Sequence, residues 1–429
     1  MEGPVNCKIG DLFAFEYGKS LTKKERKETG SYPVYGSNGI VGFHDEYLVE
    51  GPAIIIGRKG AVGEVEFETN NLWPIDTTYY VKVAEYLDFK YSYFLLKSLV
   101  LSRLDKSTAI PGLNRNDAYD LNVDLPPLPE QRAIVSRIEQ LFSDLDNGIA
   151  NLRLAQEQLK VYRQAVLKKA FEGELTRKWR EHQTDLPDNW HWVKVDSILE
   201  DSKKGMKTGP FGTALKKHEH QASGIPVYGI ENIGEGVFRM PNKIFITEMK
   251  FHELEAFKVQ PNDVIISRSG TVGEICAIPE KTKEGIISTN LMRIRLNSNL
   301  ISTKYFVYLF QGGNVREQVK ELCKGSTRVF LNQTILSSIN FPLCSLPEQH
   351  AIVQQIETRL SVCDKLEQDI AENLEKAEAL RQSILKKAFE GKLLNERELE
   401  EVRRAPDWES AEKLLERIKA QKKNKSEGV

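Results

Sequence analysis

LPEQRAIVSRIEQLFSDLDNGIANLRLAQEQLKVYRQAVLKKAFEG, residues 128–173, returns later in the chain as LPEQHAIVQQIETRLSVCDKLEQDIAENLEKAEALRQSILKKAFEG, residues 346–391. Extended to Leu175 and Leu393, the copies align without a gap, and roughly 22 of about 48 positions are identical, which chance does not give. Each copy predicts one long helix. Pro129 and Pro347 stand where a first turn tolerates proline, about 40 residues follow without another, and the glycine of FEG closes the run. Ile138, Leu145, Leu152, Leu159 and Val166 fall seven apart, with Leu141, Ala155 and Tyr162 on the second seam position and Gly148 weakening the pattern. The second copy offers Ile356, Cys363, Ile370, Ala377 and Ile384, plus Leu366 and Leu380, interrupted by Arg359 and Asn373.

Some 40 helical residues span about 60 Å at about 1.5 Å each. A bundle core would need a broader apolar face than these helices carry; a single narrow stripe among Glu, Gln, Lys, Arg and Asp wants one partner. The two seams can satisfy each other, which predicts an antiparallel coiled-coil spacer.

Looser correspondences link the segments before each helix. PVYG occurs at 33–36 and 226–229, IIIGRKGAVGEV (54–65) answers VIISRSGTVGEI (264–275), and DTTYYVKV (76–83) answers STNLMRIRL (288–296). Short β-branched and aromatic runs between Gly and Asn turns predict β-rich globules, each with a terminal helix, near Tyr91–Arg103 and Lys304–Lys320. The expected fold class is α+β, in five segments: two β-rich globules at 1–125 and 176–345, spacer helices at 126–175 and 346–394, and a charged tail at 395–429. Within the tail, Trp408–Ala420 is a short amphipathic stretch that either docks on a partner or packs on its own protein. Lys422–Val429 has the composition of a disordered end.

Composition bounds the function. The 429 residues carry 60 Lys plus Arg against 61 Asp plus Glu, so bulk attraction to a polyanion is not signalled and any anionic partner must be met locally. By segment the balance is about −4 for 1–125, about 0 for 126–175, about +5 for 176–345 and about −2 beyond. The five cysteines are scattered and form no C-x-x-C pair, which suits a reducing compartment better than a disulfide framework or a zinc knuckle. Met1–Gly10 lacks a leader pattern, and no apolar run approaches the roughly 18 residues of a membrane span, so a cytoplasmic protein without membrane partners is expected.

No G-x-x-x-x-G-K-[ST] loop, H-E-x-x-H, G-x-S-x-G or D-P-P-[YF] tetrapeptide is present, so no catalytic residue and no metal site is assigned. Gly57, Gly60 and Gly63 fit either a phosphate cradle or a tight turn, and His218 with His220 either ligates metal or lies in a solvated loop. Candidates for contact with phosphates or base edges come from features that recur in both globules. Basic runs near each start (Lys19, Lys23, Lys24; Lys203, Lys204, Lys207, Lys216, Lys217) suit phosphates. Arg58, Lys59, Arg268 and Ser269 sit at glycine-flanked turns. Asn38, Thr77, Thr78, Lys106 and Asn114, with Asn290, Lys324, Ser326, Thr327, Arg328 and Asn332, add polar groups, among which Asn and Arg can make bidentate base contacts.

The doubled LPEQ-helix-LKKAFEG unit, each copy preceded by an II-x-R-x-G-x-x-G-E turn, resembles the specificity subunit of type I restriction-modification enzymes over nearly the entire chain. The resemblance implies two target-recognition domains that each read half of a split sequence in double-stranded DNA, and two helices that set their separation. It implies two modification subunits that methylate adenine at N6, and restriction subunits with translocase and nuclease activity. S-adenosylmethionine, ATP and Mg would then reside on those partners, with no cofactor on this non-catalytic chain. A methylation-only complex and a coiled-coil scaffold without DNA readout are the alternatives.

Overall fold

The computed structural model describes residues 3–105, 111–183, 190–212, 214–323 and 330–427. The chain forms two compact units, Met1–Leu152 with Ala371–Val429, and Arg153–Ile370. The division cuts the long helices, Leu128–Phe171 and Leu346–Phe389, so each unit owns one globule, the start of one helix and the end of the other.

In the first unit an antiparallel sheet runs in the order Glu16–Tyr17, Thr78–Val81, Ala53–Gly57, Val65–Glu68. Its central strand, AIIIG, is buried at all five positions because both faces are covered. Ile54 and Ile56 enter the main core while Ala53 and Ile55 enter a second cluster with Tyr35, Val49 and Leu72. A smaller sheet places Tyr32–Gly36, which carries PVYG, antiparallel to Gly39–His44 and parallel to Trp73–Pro74.

The second unit repeats this plan. Met206–Thr208, Leu291–Ile294, Val264–Ser267 and Ile275–Ala277 take the same order, and Ile225–Tyr228, with the second PVYG start, pairs in parallel with Ile286–Ile287. Where one terminal helix was expected there are two in this unit, Thr303–Gln311 and Gly313–Cys323, with Gly312 between them.

The motif residues explain how the long helices are seated. Gln131 is fully buried; its Nε2 donates to the Pro126 carbonyl (2.9 Å) and its Oε1 accepts from the Asp88 amide (3.0 Å), which caps the helix Phe89–Ser98. Gln349 does the same between the Cys344 carbonyl (2.8 Å) and the Ser302 amide (2.7 Å). At the other ends Gly173 and Gly391 take φ of +76° and +71°, the left-handed conformation that lets Glu174 and Lys392 donate back to the Lys169 and Lys387 carbonyls.

Ile134, Val135 and Ile138 of one helix, with Ile384, Leu385 and Ala388 of the other, join the first core. Val166, Leu167 and Ala170 with Ile352, Val353 and Ile356 join the second. In each unit the start of one helix therefore lies beside the end of the other, an antiparallel pairing reinforced by Arg381 with Asp146 in the first unit and Arg163 with Asp364 (2.6 Å) and Glu367 (2.9 Å) in the second. Of the expected seam, Ile138, Val166, Ile356, Cys363, Ile370, Ala377 and Ile384 are buried; Leu145, Leu152 and Leu159 are half-buried.

Two expectations are corrected. Tyr162, Leu366 and Leu380, placed on the second seam position, are exposed, because a two-helix pair covers one narrow stripe. The tail is helical from Ala411 to Glu427, including residues expected to be disordered. It packs on the first unit through Leu414, Leu415 and Ile418, while Lys422 donates to the carbonyls of Gly10 and Phe13 (2.8 Å to the latter). All five cysteines are free and buried.

Candidate nucleic-acid interface

The turn that follows each central strand gathers several of the predicted contact residues. After Ala53–Gly57 the amides of Arg58 and Lys59 donate to the Thr77 carbonyl (2.9 and 3.1 Å), and the Arg58 carbonyl accepts from the Leu113 amide (2.9 Å). Gly60 and Gly63 adopt φ of +85° and +78°, and the amides of Val62 and Gly63 close the turn on Gly60 and Gly57. Four amides of the turn are thus used inside the protein, as in a tight turn.

The second unit builds the same turn. Arg268 donates from its amide to Asn290 (2.8 Å) and accepts from Leu331 (3.0 Å), with Gly270 and Gly273 at positive φ. Each arginine thus joins the strand end to two other segments by backbone bonds alone.

Its side chain adds aromatic rings. The Arg58 guanidinium lies 5.1 Å from the Tyr17 ring centre and 5.9 Å from that of Tyr79, and its Nε is buried without an acceptor. Tyr17 carries Arg115 as well, at 5.1 Å, and Tyr79 donates its hydroxyl to the Leu113 carbonyl (3.0 Å). Arg268 lies 4.3 Å from Phe330 and 5.2 Å from Phe211, and it donates from Nε to Leu331 (3.2 Å) and from Nη1 to Thr289 (3.3 Å). It is 3% exposed, and this burial lowers its pKa from the ordinary arginine value.

Around these centres stand Lys59, exposed; Thr77; and Asn114, which caps the helix Arg115–Tyr119 by accepting from the Asn116 amide (3.0 Å). Asn38, exposed, occupies the neighbouring hairpin turn, whose Ser37 carbonyl is 2.9 Å from the space a Cβ on Gly57 would fill. In the second unit Ser269 donates to the Asn290 side chain (2.9 Å), and Asn332 caps the helix Gln333–Ser338 by accepting from Ile335 (2.8 Å).

Other candidates lie elsewhere. Thr78 is buried, donating to the Ile75 carbonyl (2.8 Å), and is not on the surface. The backbone of Lys19 is fixed by Pro74 and Trp73, and Lys23 and Lys24 are exposed on the turn that follows. Lys207 rests over the Phe257 ring at 5.2 Å. Lys203 and Lys204 belong to a turn closed by Asp201, and Lys216 and Lys217 to the short helical turn Lys217–Glu219. Lys106, Lys324, Ser326, Thr327 and Arg328 lie outside the described residues. No group of three or more His, Cys, Asp or Glu side chains suited to a metal forms among the described residues.

Sequence reading missed Tyr17, Tyr79, Arg115, Phe211 and Phe330. The rings were hard to find because they come from positions that do not correspond between the copies. Gly18 and Gly209 do correspond, each amide donating to the strand beside it, yet Tyr17 precedes its glycine and Phe211 follows at two residues' distance.

This architecture defines a class: duplicated α+β units, each carrying the start of one long helix and the end of another, with a ring-flanked arginine after the central strand of its sheet. The profile of the type I restriction modification DNA specificity domain matches residues 1–152 and 187–376, and the chain belongs to that family. It is 23% identical to the type I restriction enzyme EcoDI specificity subunit of Escherichia coli, over 98% of this chain and 96% of that one. To the EcoKI specificity subunit of Escherichia coli K12 it is 27% identical, over 77% and 71%. Among solved structures, a chain from a type I restriction-modification complex superposes with a TM-score of 0.64 at 18% identity (91% of this chain, 98% of that one). The HsdS subunit of Thermoanaerobacter tengcongensis superposes at 0.59 and 18% identity (90% and 97%).

Proposed function

We propose that this chain is the DNA-reading, non-catalytic subunit of a cytoplasmic type I restriction-modification complex. Each unit reads one half of a split duplex target. The long helices hold the halves at a fixed separation and seat two modification subunits, which methylate adenine with S-adenosylmethionine. Restriction subunits, with ATP and Mg, join them. The observation that carries the reading is the repetition, in two units, of one sheet, one arginine-centred turn and one pair of helix seats. A protein made of two like units matches a two-part target.

Partner seating is supported by apolar side chains that the helix pair leaves uncovered: Leu154, Val161, Tyr162, Val362 and Leu366 are exposed, Val161 by 70%. Among the described residues no helix is long and apolar enough to cross a membrane, so these residues are not accounted for by a membrane span.

The test is long-read mapping of N6-methyladenine in DNA from cells that co-express the chain with a type I modification subunit that assembles with it, against that modification subunit alone. A split motif with a fixed unread gap, present only with this chain, is the expected result; no motif from an assembled complex would reject DNA readout in favour of a scaffold. One heptad inserted in both helices adds about 10 Å. That is near 3 base pairs at about 3.4 Å each, so the gap should widen accordingly.

A further inference from the structure

We infer that Arg58 and Arg268 are positioning residues for base reading, each holding the recognition loops of its own unit through backbone bonds and aromatic contacts, and that neither works as a phosphate contact. The inference rests on the DNA-reading function proposed above. Its first support is the convergence already described: the backbone of each arginine binds one segment through its amide and another through its carbonyl, and the rings bring in a third.

The second support is independent of the repeat. Arg58 lies over the rings of Tyr17 and Tyr79, Arg268 over those of Phe211 and Phe330, and these rings occupy non-corresponding positions, so the same cation–ring arrangement has been reached with different material. A surface arginine waiting for a phosphate needs no such rings. Arg268 at 3% exposure, with two donors committed to carbonyls, presents little charge to solvent. The clamped segments carry candidate readers: Thr77 and Asn290 accept from the arginine amides, and Asn114 and Asn332 follow the clamped leucines directly.

Lysine keeps the charge but has neither the plane nor the fork of donors. In the assembled complex, R58K should therefore blur one half of the methylated motif and R268K the other, with discrimination in that half falling about tenfold to a hundredfold. The slope of log affinity against log salt, measured by DNA anisotropy, should be the same for wild type, R58K, R58Q, R268K and R268Q. Y17A and F211A remove rings that are 51% and 61% exposed and should blur the same halves as R58K and R268K. They also separate a loop effect from a failure of the arginine variants to fold.

Lysine variants that keep the wild-type motif, with glutamine variants whose salt slope falls by about one, would overturn the inference in favour of phosphate contact. Ring variants that leave both halves sharp would overturn it as well. Absence of a split motif from the wild-type complex would instead sink the DNA-reading function, which is a different result from either.

Discussion

Glu130 and Glu348 hold the same place in the two copies of LPEQ, yet their surroundings are opposite. Glu348 is buried and accepts from Thr176 Oγ1 (2.8 Å), Trp190 Nε1 (3.0 Å) and Arg180. Glu130 has no such set of donors among the described residues; burial raises its pKa above the ordinary glutamate value, opposed by the charge of Arg403. The cause lies in the chain that leaves the other long helix. After Gly173 come Thr176 and Arg180, whereas the corresponding positions after Gly391 are Leu394 and Glu398, and that segment ties down the first unit through Asp407 and Arg132 instead. The repeat dictates how a helix is seated. What meets its first turn is decided by the segment that departs from the neighbouring helix end.

The largest expected effect follows from that asymmetry. Glu348→Ala leaves Arg180, Thr176 and Trp190 without their acceptor and should cost about 4 kcal/mol, as breaking a buried, hydrogen-bonded pair does. Hydrogen exchange should show the loss in residues 153–370, and Glu130→Ala should produce nothing comparable in the first unit. Equal losses from the two alanines would erase the contrast.

Leu414→Ala sharpens it from the other side. This leucine belongs to the terminal helix and is fully buried in the first core, so its truncation should cost about 3 kcal/mol. Faster exchange would be expected in residues 3–105 with no change in 214–323. Gln131→Ala and Gln349→Ala test what the copies share. Each strips a capping amide and a buried carbonyl of a partner, and losses of about 2 kcal/mol that agree between the variants are expected in chemical denaturation of the full chain. A large difference between them would mean that helix seating, too, has diverged.

Much of this was legible in the sequence, for definite reasons. Heptad spacing names the stripe that two helices bury, so Ile138, Val166, Ile356 and Ile384 could be read directly, and the FEG glycines announced left-handed caps. The exposure of Tyr162, Leu366 and Leu380 could not be read, since burial at a flanking position depends on what the partner helix brings opposite it. The tail misled through its composition: charge dominates Lys422–Val429, but the turn before it carries the Leu414, Leu415 and Ile418 stripe, and Lys422 finds two carbonyls. In the recognition turns the arginines were visible and their role was not, because rings from unrelated loops determine it.

The smallest effect is also the most diagnostic of the Glu130–Glu348 contrast. Because burial raises the pKa of Glu130, the folded chain binds a proton there more readily than the unfolded chain does. The side chain therefore does least harm at pH values below the ordinary glutamate range, where both states are protonated, and stability falls as pH rises through the raised value. Glu130→Gln removes the charge while keeping the shape. It should raise stability at pH 7 by about 0.5 kcal/mol, a modest figure because solvent still screens the group, and the gain should vanish on acidification below the ordinary glutamate pKa. Glu348→Gln, which weakens three donors' hold on a carboxylate, should lower stability at neutral pH. Melting curves of the two glutamine variants from pH 4 to pH 8 would read both signs, and a loss from Glu130→Gln at neutral pH would mean that Arg403 compensates the buried charge after all.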